Sequence, residues 1–320
     1  MSIRSVLFLI FTLFIHISRL TAEDFYIAEK IESPIVIDGK LNESDWVNTG
    51  VWANSFKLVK SGSLASQQTE FKILYDVKNI YIGIKCEEVN IAYLKCTTNA
   101  HDGDVWNDDC AEIFLEPEKS ANTMGFHFIV NPAGVFYDEK RKDSLSESGW
   151  NASIEIKTSV ESGYWIVEFA IPLETINAEG KMKTIWGMNI CRERYAADPN
   201  EISSWSFAPK GFCFSNSFGN LLFRGSDFSS SLKEQYVQPL IGKITSSQEV
   251  IKKMSSLKVM RYEKEIRKYD AILNEIKDMI NAGELTPLKL KLISNKCKEN
   301  TNLAQKTFNY IQIDSLLDDE

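Results

Sequence analysis

Histidine is scarce in this chain, with 3 in 320 residues, and its 6 cysteines include no Cys-x-x-Cys pair. Zinc centres are built mainly from those two side chains, so a zinc-organised fold is not expected. Positive charge is in deficit: 36 Lys and Arg stand against 44 Asp and Glu, for a net charge of −8. A nucleic-acid partner needs basic patches to neutralise phosphate, and none is expected here. Long apolar runs are missing beyond the N-terminal stretch, so no membrane span is expected. Internal repeats and low-complexity tracts are also missing.

The chain does have enough apolar residues for a core, at 44% hydrophobic content. Its first 22 residues read as a secretion signal: Arg4, an apolar run from Val6 to Ile17, and Thr21-Ala22 at a cleavage point that leaves Glu23 first. Arg19 and Leu20 depart from the usual pattern. The expected location is secreted or periplasmic. That compartment permits disulfides among Cys86, Cys96, Cys110, Cys191, Cys213 and Cys297, with the pairing left open. It also makes sequons of Asn42-Glu43-Ser44 and Asn151-Ala152-Ser153.

Residues 23–226 read as short strands split by turns. Ile80, Ile82, Ile84 and Cys86 alternate with Tyr81, Gly83 and Lys85. Phe126, Phe128 and Val130 alternate with His127, Ile129 and Asn131. Glu161-Ser162-Gly163 reads as a turn, and Pro172 as a strand end, since proline cannot donate to the ladder. The pattern predicts a mainly β fold, an antiparallel β-sandwich of jelly-roll or immunoglobulin-like kind.

The most telling segment is Trp106-Asn107-Asp108-Asp109-Cys110-Ala111-Glu112-Ile113-Phe114-Leu115. Ala111, Ile113 and Leu115 share one face of a half-buried strand, and Glu112 and Phe114 the other. A Trp beside an exposed strand carboxylate suits a sugar: CH groups stack on the indole and hydroxyls donate to the carboxylate.

Other motifs follow a recognisable order. Ile37-Asp38-Gly39-Lys40-Leu41-Asn42-Glu43-Ser44-Asp45-Trp46 comes first, then Phe71 to Asp76 and Ile80 to Ile84. After the Trp106 segment come Phe126 to Gly134, Trp165 to Pro172, Trp186-Gly187-Met188-Asn189-Ile190-Cys191-Arg192, Ser204-Trp205-Ser206 and Phe218-Gly219-Asn220-Leu221. In this order the chain resembles the family 9 carbohydrate-binding module over residues 30–225. The resemblance implies a secreted, non-catalytic protein that binds poly- or oligosaccharide in polysaccharide breakdown. It implies that Trp106 and Trp205 sandwich a terminal sugar, with Glu112 accepting its hydroxyls and His127 serving as a polar contact. Arg192, with Arg194 and the weaker Asn189, is placed to fork onto hydroxyls. Trp46, Trp165 and Trp186 read as core residues. No cofactor is required, but the Asp102, Asp104, Asp108 and Asp109 cluster allows structural calcium, with Asp108 and Asp109 as its ligands.

Two alternatives come from other classes. One is a glycoside hydrolase acting on O-glycosyl bonds through Asp109 and Glu112. The other is a haem-binding electron-transfer sandwich, with His101, His127 and Met188 as available ligands.

Residues 227–246 read as a Ser-rich linker. Beyond them Ile251, Met254, Tyr262, Ile266, Tyr269, Leu273, Ile276 and Ile280 recur at helical spacing. A helix from Ser246 or Ser247 to Gly283, then a second from Thr286-Pro287 to about Ile313, predict a helical tail over residues 247–320. Its apolar stripe is expected to serve self-association or a partner protein.

Overall fold

The structure, a computed structural model, describes residues 24–117, 124–181, 185–225, 228, 232–239, 241–242, 245, 263–283 and 285–317. The expected signal at 1–22 and the expected start of the tail helix lie outside the described residues. Asp24–Phe228 form one compact unit, and Ser229–Glu320 belong to a second.

The first unit is one curled, mixed sheet. Its strands are β1 (Phe25–Lys30), β2 (Lys57–Leu58), β3 (Thr69–Tyr75), β4 (Asn79–Glu87), β5 (Cys110–Glu116), β6 (Gly125–Val130) and β7 (Phe136–Lys142). Then follow β8 (Leu145–Glu147), β9 (Glu155–Glu161), β10 (Tyr164–Pro172), β11 (Trp186–Arg194), β12 (Glu201–Ser204) and β13 (Gly219–Arg224). The order is β8-β7-β6-β5-β11-β13-β1-β3-β4-β10-β9, with β12 joining β11 to β2. Most neighbours are antiparallel, as the turn signals require, and Gly163 (φ 89°) makes the β9–β10 turn. Two features differ from an antiparallel sandwich. β1 runs parallel to both β13 and β3, and hydrogen bonding is continuous from β8 to β9 instead of breaking into two sheets. Neither pairing of β1 involves a hairpin, so no local turn announces it.

The sheet curls about one apolar core. Ile73, Ile82, Val167 and Phe169 from one half meet Ile113, Leu115, Phe128 and Ile190 from the other. The alternation read in β4, β5 and β6 sets these side chains inward. On the opposite face of β10, Glu168 ties down the early Asp-Gly and Trp motifs. Its carboxylate accepts the amides of Asp38 and Gly39 and the indole N–H of Trp46, each at 2.9 Å. All six cysteines carry free thiols.

In the second unit, residues 232–239 are helical where a linker is expected, with Lys233–Val237 in a π-helical turn. Leu232 and Val237 are buried there, so these two apolar residues outweigh the serine-rich surroundings. Two C-terminal helices follow, Glu263–Asn281 and Pro287–Leu317. Gly283 (φ 95°) lies just past the first. Thr286 caps the second, its hydroxyl accepting the Lys289 amide at 3.3 Å, and Pro287 takes the first helical position. Tyr269, Ile272, Leu273 and Ile276 of one helix and Leu290, Ile293 and Cys297 of the other are buried. The Tyr269 hydroxyl lies 2.6 Å from Thr307 Oγ1 on the other helix. Among the described residues no helix is long and apolar enough to cross a membrane.

Candidate functional site

The period of two that points Ile113 and Leu115 inward turns Glu112 and Phe114 outward. Register carries the same choice across four strands. Glu112 pairs with Ile129 of β6 and Cys191 of β11, Phe114 pairs with His127, and His127 pairs with Glu139 of β7. Glu112, His127, Glu139 and Glu193 therefore share one face. This face is not open strand surface. Phe114, Cys191, Ala208, Phe212 and Phe218 form an apolar cluster over it, and every residue of β5 is buried. The half-buried expectation fails because residues 206–218 fold back across the sheet.

What remains open is a pocket of about 420 Å³ lined by Trp106, Tyr137, Glu112, His127, Glu139, Arg141, Glu193 and Phe212, among others. Trp106, in the short 3-10 turn Val105–Asn107, is 37% exposed and meets Tyr137 edge-on, with centroids 5.3 Å apart. Its indole forms part of the pocket wall.

His127 organises the polar floor. Its ring stacks on Phe114 at 3.9 Å, and its two nitrogens reach Glu139 at 2.9 Å and Glu112 at 2.8 Å. Burial alone would lower its pKa, but hydrogen bonds to the two carboxylates outweigh this and raise it. Both nitrogens then donate. Glu139 also receives Arg141, Ser146 and the Tyr137 hydroxyl. Burial opposes its ionisation, yet these donors hold its pKa down at about 2.

Glu193 differs. Burial, the Glu112 charge and a hydrogen bond to Glu112 push its pKa up to about 7, against a lowering by Tyr195. The Tyr195 hydroxyl lies 2.9 Å from Glu193 Oε2. A carboxyl–carboxyl hydrogen bond requires one proton between the two groups. Glycosidases hold their carboxyls roughly 5–10 Å apart to admit the sugar carbon and water, a gap the Glu112–Glu193 pair lacks. Of the pair named for a hydrolase, Asp109 and Glu112, Asp109 is engaged by the amides of Lys95, Tyr195 and Ala196.

Several expected site residues lie elsewhere. Trp205 is 7% exposed and packs edge-on against Phe71 in the main core, with centroids 5.3 Å apart. A Cβ on Gly219 would come within 2.6 Å of the Trp205 ring, so Gly219 makes room for the indole inside. Arg192 is 1% exposed and pairs with Ala111 in register, on the inward face. It and Arg194 bind Glu88, Arg194 through two contacts of 2.6 and 2.8 Å. Asn189 holds Ser206 through two 2.9 Å hydrogen bonds.

The Asp108 oxygens accept the Thr97 and Thr98 amides, the Thr97 hydroxyl and Asn131. Those of Asp109 accept the amides of Lys95, Tyr195 and Ala196. A calcium ion would have to displace these donors, so the pair fastens loops instead of ligating a cation. Among the described residues His101, Asp102 and Asp138 do converge, within 4.8 Å, with His101 Nε2 at 2.8 Å from Asp138. The haem alternative fares poorly on geometry. Met188 points into the core, and His127 and His101 contact Glu139 and Asp138, which face opposite sides of β7.

Sequence reasoning missed Glu139, Arg141 and Glu193. The signal for Glu193 was present: Met188 and Ile190 point inward, so Cys191 and Glu193 must point outward.

Residues 37–225 match the profile of the carbohydrate family 9 binding domain-like family. No curated protein matches the chain. A candidate carbohydrate-binding protein from Bacteroides uniformis shares the fold, with a TM-score of 0.53 at 16% identity over 63% of this chain and 100% of that one. A family 9 carbohydrate-binding module from Caldicellulosiruptor kristjanssonii, solved with glucose, gives a TM-score of 0.46 at 17% identity over 63% of this chain and 96% of that one. Its cellotriose complex gives 0.48 at 16% identity over 64% and 96%.

Proposed function

The chain belongs to the carbohydrate family 9 binding domain-like family, and on that premise we propose that its β unit is a non-catalytic carbohydrate-binding module whose ligand enters the pocket beside Trp106. The observation that carries this reading is an exposed indole at the rim of a pocket floored by Glu112, His127 and Glu193. A sugar ring has an apolar CH face and a polar edge. The indole suits the first, and the carboxylates suit the second. The aromatic wall consists of Trp106 and Tyr137, with Trp205 left to the core.

The N-terminal pattern supports an extracytoplasmic protein, and the family supports a role in polysaccharide breakdown. The helical hairpin would join the module to a partner protein or a second copy.

The deciding experiment is a glycan-array screen of the protein, followed by calorimetric titration of each hit. Glucose and cellotriose, the ligands of the Caldicellulosiruptor complexes, belong among the probes. Saturable binding of at least one glycan is expected. Absence of binding across the array would overturn the proposal.

A further inference from the structure

We propose that the pocket selects amino sugars, with the ligand ammonium replacing the proton shared by Glu112 and Glu193. The inference rests on the carbohydrate reading of the same pocket and names its substrate class.

Three carboxyls face the pocket, Glu112 from β5, Glu139 from β7 and Glu193 from β11. Two cationic side chains face them, His127 from β6 and Arg141 from β7. Glu139 is neutralised by Arg141 and its other donors. His127 bridges Glu139 and Glu112. The unmatched negative charge therefore belongs to Glu112 and Glu193, which are diagonal cross-strand neighbours, Glu112 lying opposite Cys191, and both line the pocket. The titratable neighbours Tyr137, Tyr195, Cys110, Cys191 and Cys213 supply no cation, and Lys95 lies over the Tyr195 ring, 4.7 Å from its centroid, with no ion pair to either carboxyl. Burial and nearby carboxylates push Tyr137 up to about 12 and Tyr195 higher still, and burial raises the Cys213 thiol.

Two ionised carboxylates in contact repel, which is why a proton is held there. A sugar hydroxyl brings one donor and no charge. An ammonium brings three donors and a full positive charge, so both carboxylates can ionise against it. The Trp106 and Tyr137 rings beside this point favour a cation as well as sugar CH groups. Burial and the Glu112 charge raise the Glu193 pKa, so the shared proton stays in place at mildly acid pH, where a sugar ammonium is also fully charged and can displace it.

The test is calorimetry on the full chain with chitosan trimer, N,N′,N″-triacetylchitotriose and cellotriose at about pH 5.5, where the sugar amines are charged and the shared proton is in place, each in two buffers of different ionisation enthalpy. The amino sugar is expected to bind about tenfold tighter than either neutral trimer, the size of one charge-assisted hydrogen bond. It should also release a proton on binding. Glu193→Gln, nearly isosteric, should abolish the proton release and lower amino-sugar affinity about tenfold. Neutral trimers binding as tightly as chitosan trimer would overturn the inference and leave the carbohydrate reading standing. No binding of any trimer would overturn the inference, and a blank glycan array beside it would sink the carbohydrate reading too. Nα-acetyl-lysine amide binding as well as chitosan trimer would assign the pocket to lysine side chains and overturn the sugar specificity. If Glu193→Gln misfolds, proton release by the wild type alone decides: none during chitosan binding overturns the inference.

Discussion

Two buried charge clusters stand on opposite faces of β11, one residue apart in sequence. Inward, Glu88 is enclosed by Arg192 and Arg194, with Ser66 and Glu201 completing the Arg194 contacts. Outward, Glu193 leans on Glu112 above a pocket. The first cluster sets two guanidiniums around one carboxylate at its centre, all three nearly fully buried. The second holds an extra carboxylate and opens to solvent. The difference separates structure from function: ion pairs that hold a fold are closed by protein groups, whereas a binding site keeps a charge that protein groups do not match.

If that comparison is right, damage to the two clusters should have different consequences. The largest effect is expected for Glu88→Gln, which leaves the buried Arg192 guanidinium without its ion-pair partner and Arg194 with Glu201 alone, and should cost about 3–5 kcal/mol of stability. Chemical denaturation would measure it, and a loss under about 1 kcal/mol would break the contrast. Trp205→Ala should cost a similar 3–5 kcal/mol, because it empties a core site made for an indole. If it weakened sugar binding and spared stability, the core assignment of Trp205 would be wrong. Trp106→Ala should do the reverse, reducing glycan affinity by about 1–3 kcal/mol with an almost unchanged melting temperature.

A subtler effect concerns pH. Glu193 has its pKa raised from 4.5 to about 7 on folding, so its contribution to stability is full below pH 4.5 and is lost as pH rises to about 7. Glu193→Gln lacks this loss. Melting curves from pH 4.5 to 7 should show the variant gaining steadily on the wild type, and parallel curves would refute the assignment. Glu139 has the opposite sign. Its pKa is lowered from 4.5 to about 2, so its contribution fades only as pH falls through that range. The smallest effect is in the tail, where Thr286→Ala should destabilise the helical hairpin by about 1 kcal/mol through loss of an N-cap.

Local alternation made part of this legible in the sequence. Ala111, Ile113 and Leu115 point to the core, and Glu112 and Phe114 point away, as a period of two demands. The helix boundary at Thr286-Pro287 and the family itself were legible too. What escaped depends on distance along the chain. Whether Trp205 lies in the core or the site is decided by Phe71 and Gly219, neither of which adjoins it in sequence. The cover over β5 comes from residues about 100 positions later, so strand pattern alone suggested an exposed face. Arg192 was a different kind of miss. Its parity with Ile190 already placed it inward, but the fit of a guanidinium to sugar hydroxyls made the other face attractive.

The parallel seam of β1 with β13 has a consequence for how the chain comes to be folded. Glu29 and Arg224 are hydrogen-bonded at 2.9 Å across 195 residues of sequence. A ribosome adding about 5–20 residues per second needs roughly 10–40 s to make that interval. Through that time the seam side of the first-made strand has no partner, and the last-made strand closes the sheet. High contact order of this kind slows spontaneous folding and exposes an edge meanwhile. The nascent chain is therefore at its most aggregation-prone until Arg224 emerges, whatever the stability of the finished molecule.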